Sequence, residues 1–313
     1  MTSTLPRLAI IGIGLIGSSI ARAALRTRSV EGITVIDQNP EHLSAAVNLR
    51  LGDRFSSDLS QANDADFVIL ATPSGVYREI VSALAPHLKE GAILSDTGSV
   101  KEQVLKDLAD IVPKNVHLIP AHPVAGTEHS GPQAGSSGLF RNRYTLITPP
   151  KNTDEAAILQ LEKFWRSLGA IPERMDAAHH DRVLAMTSHL PHFISFAMVH
   201  TAEKLEQNLE EEQVEDMISK TEVMKYSAGG FRDLTRMAHA DPAMWRDVFL
   251  YNRDATLEML HRFQRELSAL AAFTARGDAD GIEKWVHDSR RIRLTIEEMG
   301  QAGKMLYNER SES

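Results

Sequence analysis

Six residues near the N-terminus, Gly12-Ile13-Gly14-Leu15-Ile16-Gly17, constrain this chain more than any other stretch. They follow the continuous apolar run Leu8 to Ile11 and open a helix-like stretch that reaches Leu25. G-x-G-x-x-G between a strand and a helix is the spacing of a dinucleotide-binding turn. Gly12 permits the tight turn, Gly14 lets the backbone approach a pyrophosphate, and Gly17 lets helix and strand pack closely. The first helical turn, at Leu15 and Ile16, then offers free N–H groups and a positive dipole end to the phosphates. Asp37 ends the next apolar run, Ile33 to Ile36, where a carboxylate can accept from both ribose hydroxyls. It would repel a 2′-phosphate, and Gln38 and Asn39 supply no arginine to hold one, so the pattern favours NAD over NADP. A glycine-rich turn with an incidental aspartate is the plain alternative. Thr72-Pro73, after the run Phe67 to Leu70, either lines the nicotinamide side of the crevice or is an ordinary strand-ending turn.

Further short apolar runs follow at Ala92 to Leu94, His117 to Ile119 and Tyr144 to Ile147. Unalternated runs spaced by helical segments predict a Rossmann-type parallel sheet covered on both faces. After Pro150 strand-like runs stop, and the pattern turns helical. A first helix is expected over Thr153 to Leu168 with Thr153 as its cap, then helical stretches over roughly 176–207, 211–226 and 241–299, with Gly229-Gly230 as a loop between them. The acid-rich stretch Glu203 to Glu215 reads as a solvated helix face, and Asn308 to Ser313 as a frayed end. The expected division is a dinucleotide-binding domain over 1–172 and an all-α domain over 173–313.

The 313 residues are 42% hydrophobic and 24% charged, a globular balance. A net charge of −8 argues against a nucleic-acid partner, and means that an anionic substrate needs its own local arginine or lysine. The absence of cysteine excludes thiolate metal sites, disulfides and thiol nucleophiles, and fits a reducing cytoplasm. Neither a signal peptide nor an apolar run of the roughly 20 residues that span a bilayer is evident.

Polar residues collect after the later runs, where open α/β sheets bind ligands. Ser99 and Lys101 lie in Asp96-Thr97-Gly98-Ser99-Val100-Lys101, and His122 opens His122-Pro123-Val124-Ala125-Gly126-Thr127-Glu128-His129-Ser130-Gly131. A neutral histidine there can take a hydroxyl proton as hydride leaves the same carbon. It could equally satisfy a strand-end backbone group. Ser99 could bond the imidazole or the hydroxyl. In Ser188-His189-Leu190-Pro191-His192 the proline should kink a helix and free a carbonyl, with His189 and His192 on one face. No third ligand suggests a metal there. The adjacent His179 and His180 point in different directions and are expected at the surface. Arg236, in Gly229-Gly230-Phe231-Arg232-Asp233-Leu234-Thr235-Arg236, is either a carboxylate clamp or a solvated arginine paired with Asp233.

Together, in order and spacing, these segments resemble the prephenate/arogenate (cyclohexadienyl) dehydrogenase family, from about Leu8 to Trp245. The resemblance implies His122 as the catalytic histidine, Ser99 as its hydroxyl partner and Arg236 as the carboxylate-binding arginine. It further implies His192, with His189, on the substrate side of the helical domain, Trp245 as an aromatic residue closing the pocket, and a homodimer built through that domain. The implied chemistry is oxidative decarboxylation of a small anionic cyclohexadienyl substrate. Gln133, aligned opposite the keto or ammonium group that separates prephenate from arogenate, is expected to give no ion pair, so that prephenate is used at least as well. Neither a fused mutase nor a regulatory domain is expected. The rival readings are another two-domain hydroxyacid or imine dehydrogenase and a non-catalytic NAD-binding sensor. Only Lys204 falls in the 176–207 helical region, which weakens the hydroxyacid reading.

Overall fold

A computed structural model describes residues 5–127, 129–212 and 222–298. The chain divides into two compact units, Met1–Thr256 and Leu257–Ser313. The first begins with alternating strands and helices: β1 (Arg7–Ile11), α1 (Leu15–Thr27), β2 (Gly32–Ile36), α2 (Pro40–Asn48), β3 (Arg54–Ser56), β4 (Phe67–Leu70), α3 (Tyr77–Leu84), β5 (Ile93–Asp96), α4 (Glu102–Leu108) and β6 (His117–Leu118). These six strands form one sheet, ordered β3-β2-β1-β4-β5-β6 and parallel throughout. The chain runs outward from β1 to β3, then restarts at β4 on the other side. The crevice at this reversal, above β1 and β4, is where such sheets take ligands.

Side chains alternate across each strand, so every strand feeds two cores. Leu8, Ile10, Val35 and Ile69 pack with Ile20 of α1 on one face, whereas Ala9, Ile11, Val68 and Leu70 pack with Val81 of α3 and Val104 of α4 on the other. Both faces are thus apolar, which is why these strands read as unbroken apolar runs.

Four more elements follow: β7 (Ala121–Pro123), β8 (Tyr144–Ile147), α5 (Glu155–Ser167) and β9 (Ile171–Arg174). Here the expectation needs correction. Tyr144 to Ile147 does not extend the parallel sheet. It forms the centre of a second sheet, antiparallel to β7 and parallel to β9. An apolar run specifies burial, not which sheet receives it. Strands also do not end at Pro150, because β9 completes this sheet. The cap of α5 is Asp154, whose carboxylate accepts from Ala156 N–H at 2.9 Å, while the Thr153 hydroxyl turns back to the Pro150 carbonyl. Trp165 of α5 is fully buried against Phe140 and Phe164.

Among the described residues the rest of the first unit is helical: α6 (Ala177–Leu184), α7 (Leu190–Glu212), α8 (Glu222–Lys225), α9 (Gly229–Thr235), α10 (Pro242–Tyr251) and the start of α11 (Arg253–Arg276). Between α6 and α7 runs a widened π turn, Ala185–His189, directly before Leu190-Pro191. Pro191 thus lies just past the π turn within one continuous helical run, where its ring removes one helix hydrogen bond. Gly229 and Gly230 begin α9 rather than forming a loop. The stretch expected to be helical over 241–299 is broken at Asn252 and Gly277. The second unit holds the remainder of α11 and α12 (Ala279–Glu298). Glu128, much of Glu203 to Glu215, and Asn308 to Ser313 lie outside the described residues or side chains.

The glycine turn is closed by contact as well as conformation. Gly12 has φ +94°, and a Cβ there would meet Ala71 O at 2.7 Å. A Cβ on Gly17 would lie 2.0 Å from Gly12 O. Gly17→Ala should therefore destabilise the fold by about 1–3 kcal/mol, the cost of overpacking a tight contact; an unchanged thermal midpoint would contradict this close packing.

Candidate active site

The dinucleotide end is preformed. Asp37 accepts from Ile13 N–H and Asn39 N–H, each at 2.8 Å, so its carboxylate is fixed across the glycine turn. His42 Nδ1 is 3.5 Å from the same carboxylate. Beside them lies a cavity of ≈ 220 Å³ with Gly12, Ile36 and Asp37 on one side and Thr72, Pro73 and Ile80 on the other. Thr72 Oγ1 is buried without a partner among the described residues. A Cβ on Gly14 would meet nothing within 4 Å, which leaves the open space a pyrophosphate needs. Gly14 is the N-cap of α1, with Leu15 and Ile16 in its first turn. These residues fit a dinucleotide.

His122 is on β7, opposite Leu146 of β8. The preceding residue is held at both its N–H and its C=O: Asp96 Oδ1 accepts Ala121 N–H at 3.2 Å, and Lys101 Nζ donates to Ala121 O at 2.9 Å. Lys101 and Asp96 also pair with each other, both fully buried. Burial lowers the Lys101 ammonium even though Asp96 favours its charge.

His122 Nδ1 is 2.9 Å from His180 Nε2, and His180 Nδ1 is 2.7 Å from Asp181 Oδ1. Asp181 also takes Lys101 N–H at 2.8 Å and Glu102 N–H at 2.9 Å, at the start of α4. His180 is therefore not at the surface, as expected from sequence, but completely buried, whereas His179 is exposed. A detectable signal existed: Ala177, His180, Asp181 and Leu184 form the single buried stripe of α6, at helical spacing.

The helical segment adds two more histidines. His189 is buried; Asn252 donates to its Nδ1 at 3.0 Å and to Asp181 O at 2.7 Å. That leaves His189 Nε2 as a protonated, buried donor without a partner among the described residues. His192 stacks on Trp245, ring centroids 3.7 Å apart, and its Nδ1 donates to Ser188 O at 2.9 Å. Trp245 packs with Val100 and Val248, which seats α10 on the loop between β5 and α4.

Other expected residues are less engaged. Ser99 is half-buried in that loop and makes no hydrogen bond to His122. Arg236 begins the short turn Arg236–His239 after α9; it is exposed, and among the described residues neither Asp233 nor any other acid pairs with it. Gln133 is not brought to His122 at all. It is exposed in the turn Pro132–Ala134 and lines a surface cleft with Pro40, Glu41, Ser44 and Asn48 of α2. The loop after β7 turns back over α1, where Arg22 donates to Pro132 O at 3.3 Å, and carries Gln133 with it.

Two family models match: the nucleotide-binding domain of prephenate dehydrogenase over residues 20–172, and its dimerization domain over 176–288. The chain is 38% identical to a cyclohexadienyl dehydrogenase of Zymomonas mobilis over 290 residues, 92% of this chain and 95% of that one. The chain belongs to the prephenate dehydrogenase family. It is also 31% identical to the prephenate dehydrogenase of Bacillus subtilis, across 90% of this chain and 74% of that protein. Among solved structures, the prephenate dehydrogenase of Aquifex aeolicus, in complex with hydroxyphenyl propionate and NAD+, is 31% identical with a TM-score of 0.85, covering 95% of this chain and all of that one. These relatives are oxidoreductases.

Burial, reinforced by His180 and Lys101, pushes His122 well below the usual histidine value of 6.5. Burial also lowers His180 and His192, and brings His189 to about 4. The unfolded chain, with ordinary histidines, binds more protons below pH 6.5 than the folded one does. Stability should therefore fall as pH drops from about 6.5 toward 4, by up to about 1.4 kcal/mol per pH unit for each histidine kept neutral. Denaturant midpoints that do not differ between pH 7.5 and 5.5 would contradict the buried cluster. Separately, Gly14→Ala should keep the wild-type thermal midpoint yet weaken NAD binding at least about tenfold, a loss of ~1.4 kcal/mol; calorimetric titration reads it.

Proposed function

We propose that this chain catalyses the NAD-dependent oxidative decarboxylation of prephenate to 4-hydroxyphenylpyruvate, with arogenate, giving tyrosine, as the other candidate substrate. The observation that carries the reading is His122, buried after the parallel sheet with its Nδ1 engaged by His180 and its Nε2 unengaged among the described residues. A neutral imidazole with a free nitrogen is the group this oxidation needs. The family and its named relatives support the same choice.

NAD, when bound, supplies the hydride acceptor. Asp37 supports NAD over NADP, because its fixed carboxylate occupies the ribose end where a 2′-phosphate would stand. As hydride leaves the hydroxyl-bearing ring carbon, His122 Nε2 takes the hydroxyl proton. The C–C bond to the ring carboxylate breaks, CO2 departs, and its electron pair completes the aromatic ring. The phenolate oxygen then recovers the proton from His122. Ser99, at the carboxyl end of β5, orients the hydroxyl. Arg236, exposed and unpaired among the described residues, is free to clamp a substrate carboxylate. His192, fixed by Trp245 and Ser188 O, presents Nε2 on the substrate side.

A homodimer through the helical region is part of this proposal. The matched dimerization model covers 176–288. In the second unit, α12 buries none of its residues and exposes Val286 and Ile292 by more than half. Light scattering should give twice the chain's 34.6 kDa.

The decisive assay is NADH formation at about 340 nm with prephenate and arogenate in separate reactions, since reduced nicotinamide carries the signal. Turnover of prephenate is expected; no turnover of either would remove the reading. His122→Asn should lower kcat by about 10²–10⁴-fold, whereas Arg236→Ala should mainly raise KM. The acid limb of kcat/KM should fall below pH 6.5, since burial keeps His122 neutral there; a limb at or above that value would contradict the assignment.

A further inference from the structure

The densest set of buried ionisable groups in the first unit, Asp96, Lys101, His180 and Asp181, converges on the strand that bears His122. Asp96 and Lys101 fix the backbone, by holding the Ala121 N–H and C=O. They leave open which ring nitrogen of His122 carries the proton. We propose that His180 and Asp181 are positioning residues that hold His122 as its Nδ1–H tautomer and so keep the Nε2 lone pair for the substrate hydroxyl. This rests on the reading of His122 as the proton acceptor.

The argument starts at Asp181. Its carboxylate already accepts Lys101 N–H and Glu102 N–H, so it is an acceptor toward His180 Nδ1 at 2.7 Å as well. His180 Nδ1 therefore carries a proton. In a neutral imidazole the other nitrogen is then a lone pair, and His180 Nε2 can only accept. His122 Nδ1, 2.9 Å away, must be the donor. The opposite tautomer would set two lone pairs against each other at that distance, inside a buried site.

The chain also acts during reaction. When His122 Nε2 takes a proton, the resulting Nδ1–H is already aimed at a lone pair backed by a carboxylate, so no group has to reorient. The remaining charged or titratable neighbours are Lys101 from the loop before α4, His189 from the π turn and Asp96 from β5. The first two oppose positive charge on His122, while Asp181 and Asp96 favour it on His180. His180 is rigidly placed: Asp176 caps α6 through Ala178 N–H and His179 N–H, and Asn252 holds the Asp181 carbonyl.

Histidine-selective 15N NMR of the intact protein near neutral pH tests this, with His122→Asn assigning the signal. The expected result is a pyrrole-like Nδ1 and a pyridine-like Nε2 at His122; the reverse pattern overturns the proposal. In kinetics, His180→Phe should lower kcat about 10²-fold while both KM values stay within about twofold. His180→Gln, whose amide can accept from His122 and donate to Asp181, should recover at least about tenfold of that loss. Wild-type kcat in His180→Phe, or equal impairment in the two variants, overturns the positioning role. Wild-type kcat in His122→Asn instead removes the proton-acceptor reading itself, whatever the tautomer.

Discussion

The carboxylate of Asp181 is the joint on which the site depends. Burying a charge is costly unless donors surround it. Here two backbone N–H groups at the start of α4 and one imidazole N–H meet it. The helix dipole adds a favourable field, because α4 presents its positive end. One side chain from the helical segment thereby replaces the missing N-cap of a sheet-covering helix, whose own N-cap residue, Lys101, makes no side-chain cap. The same carboxylate holds His180 Nδ1, and His180 Nε2 in turn meets His122.

The Asp96–Lys101 pair complements it from the opposite side. A buried ion pair is weak evidence for stability, since its attraction is spent largely on desolvation. Its use here is directional. Asp96 closes β5 and also accepts Gly98 N–H at 2.9 Å, so the same carboxylate shapes the loop bearing Ser99 and anchors the peptide before His122. The loop bearing Ser99 and the strand bearing His122 are thus held by one ion pair. Trp245 and Val100 extend the connection apolarly, stacking His192 onto the same loop.

What the sequence made legible was what local physics decides. The glycine turn could be read because Gly12 needs a positive φ and Gly17 a vanishing side chain, both properties of single positions. The parallel strands could be read because burial on both faces leaves no polar alternation. Tyr144 to Ile147 also read correctly as a strand, yet its partners β7 and β9 are short, and β9 is largely exposed, so nothing local told which sheet it joins. Ile171-Pro172-Glu173-Arg174 carries a proline and two charges and gave no strand signal at all. Gln133 was misplaced because its loop direction is set by packing on α1. His180 was missed because adjacency to His179 suggested two solvent-facing rings, when the stripe from Ala177 to Leu184 puts one of them inside.

The π turn at Ala185–His189 sets the phase of the helix that follows it. Such a turn holds one residue more than the α-helical turn it replaces, and it rotates everything after it by about 100° relative to an unbroken helix. His189 lies at its end and His192 just beyond. Had the chain run straight from α6 into α7, the face that stacks on Trp245 would look elsewhere, and Asn252 would meet a different side chain. A helix of this length without the extra residue would present His189 and His192 one position out of phase.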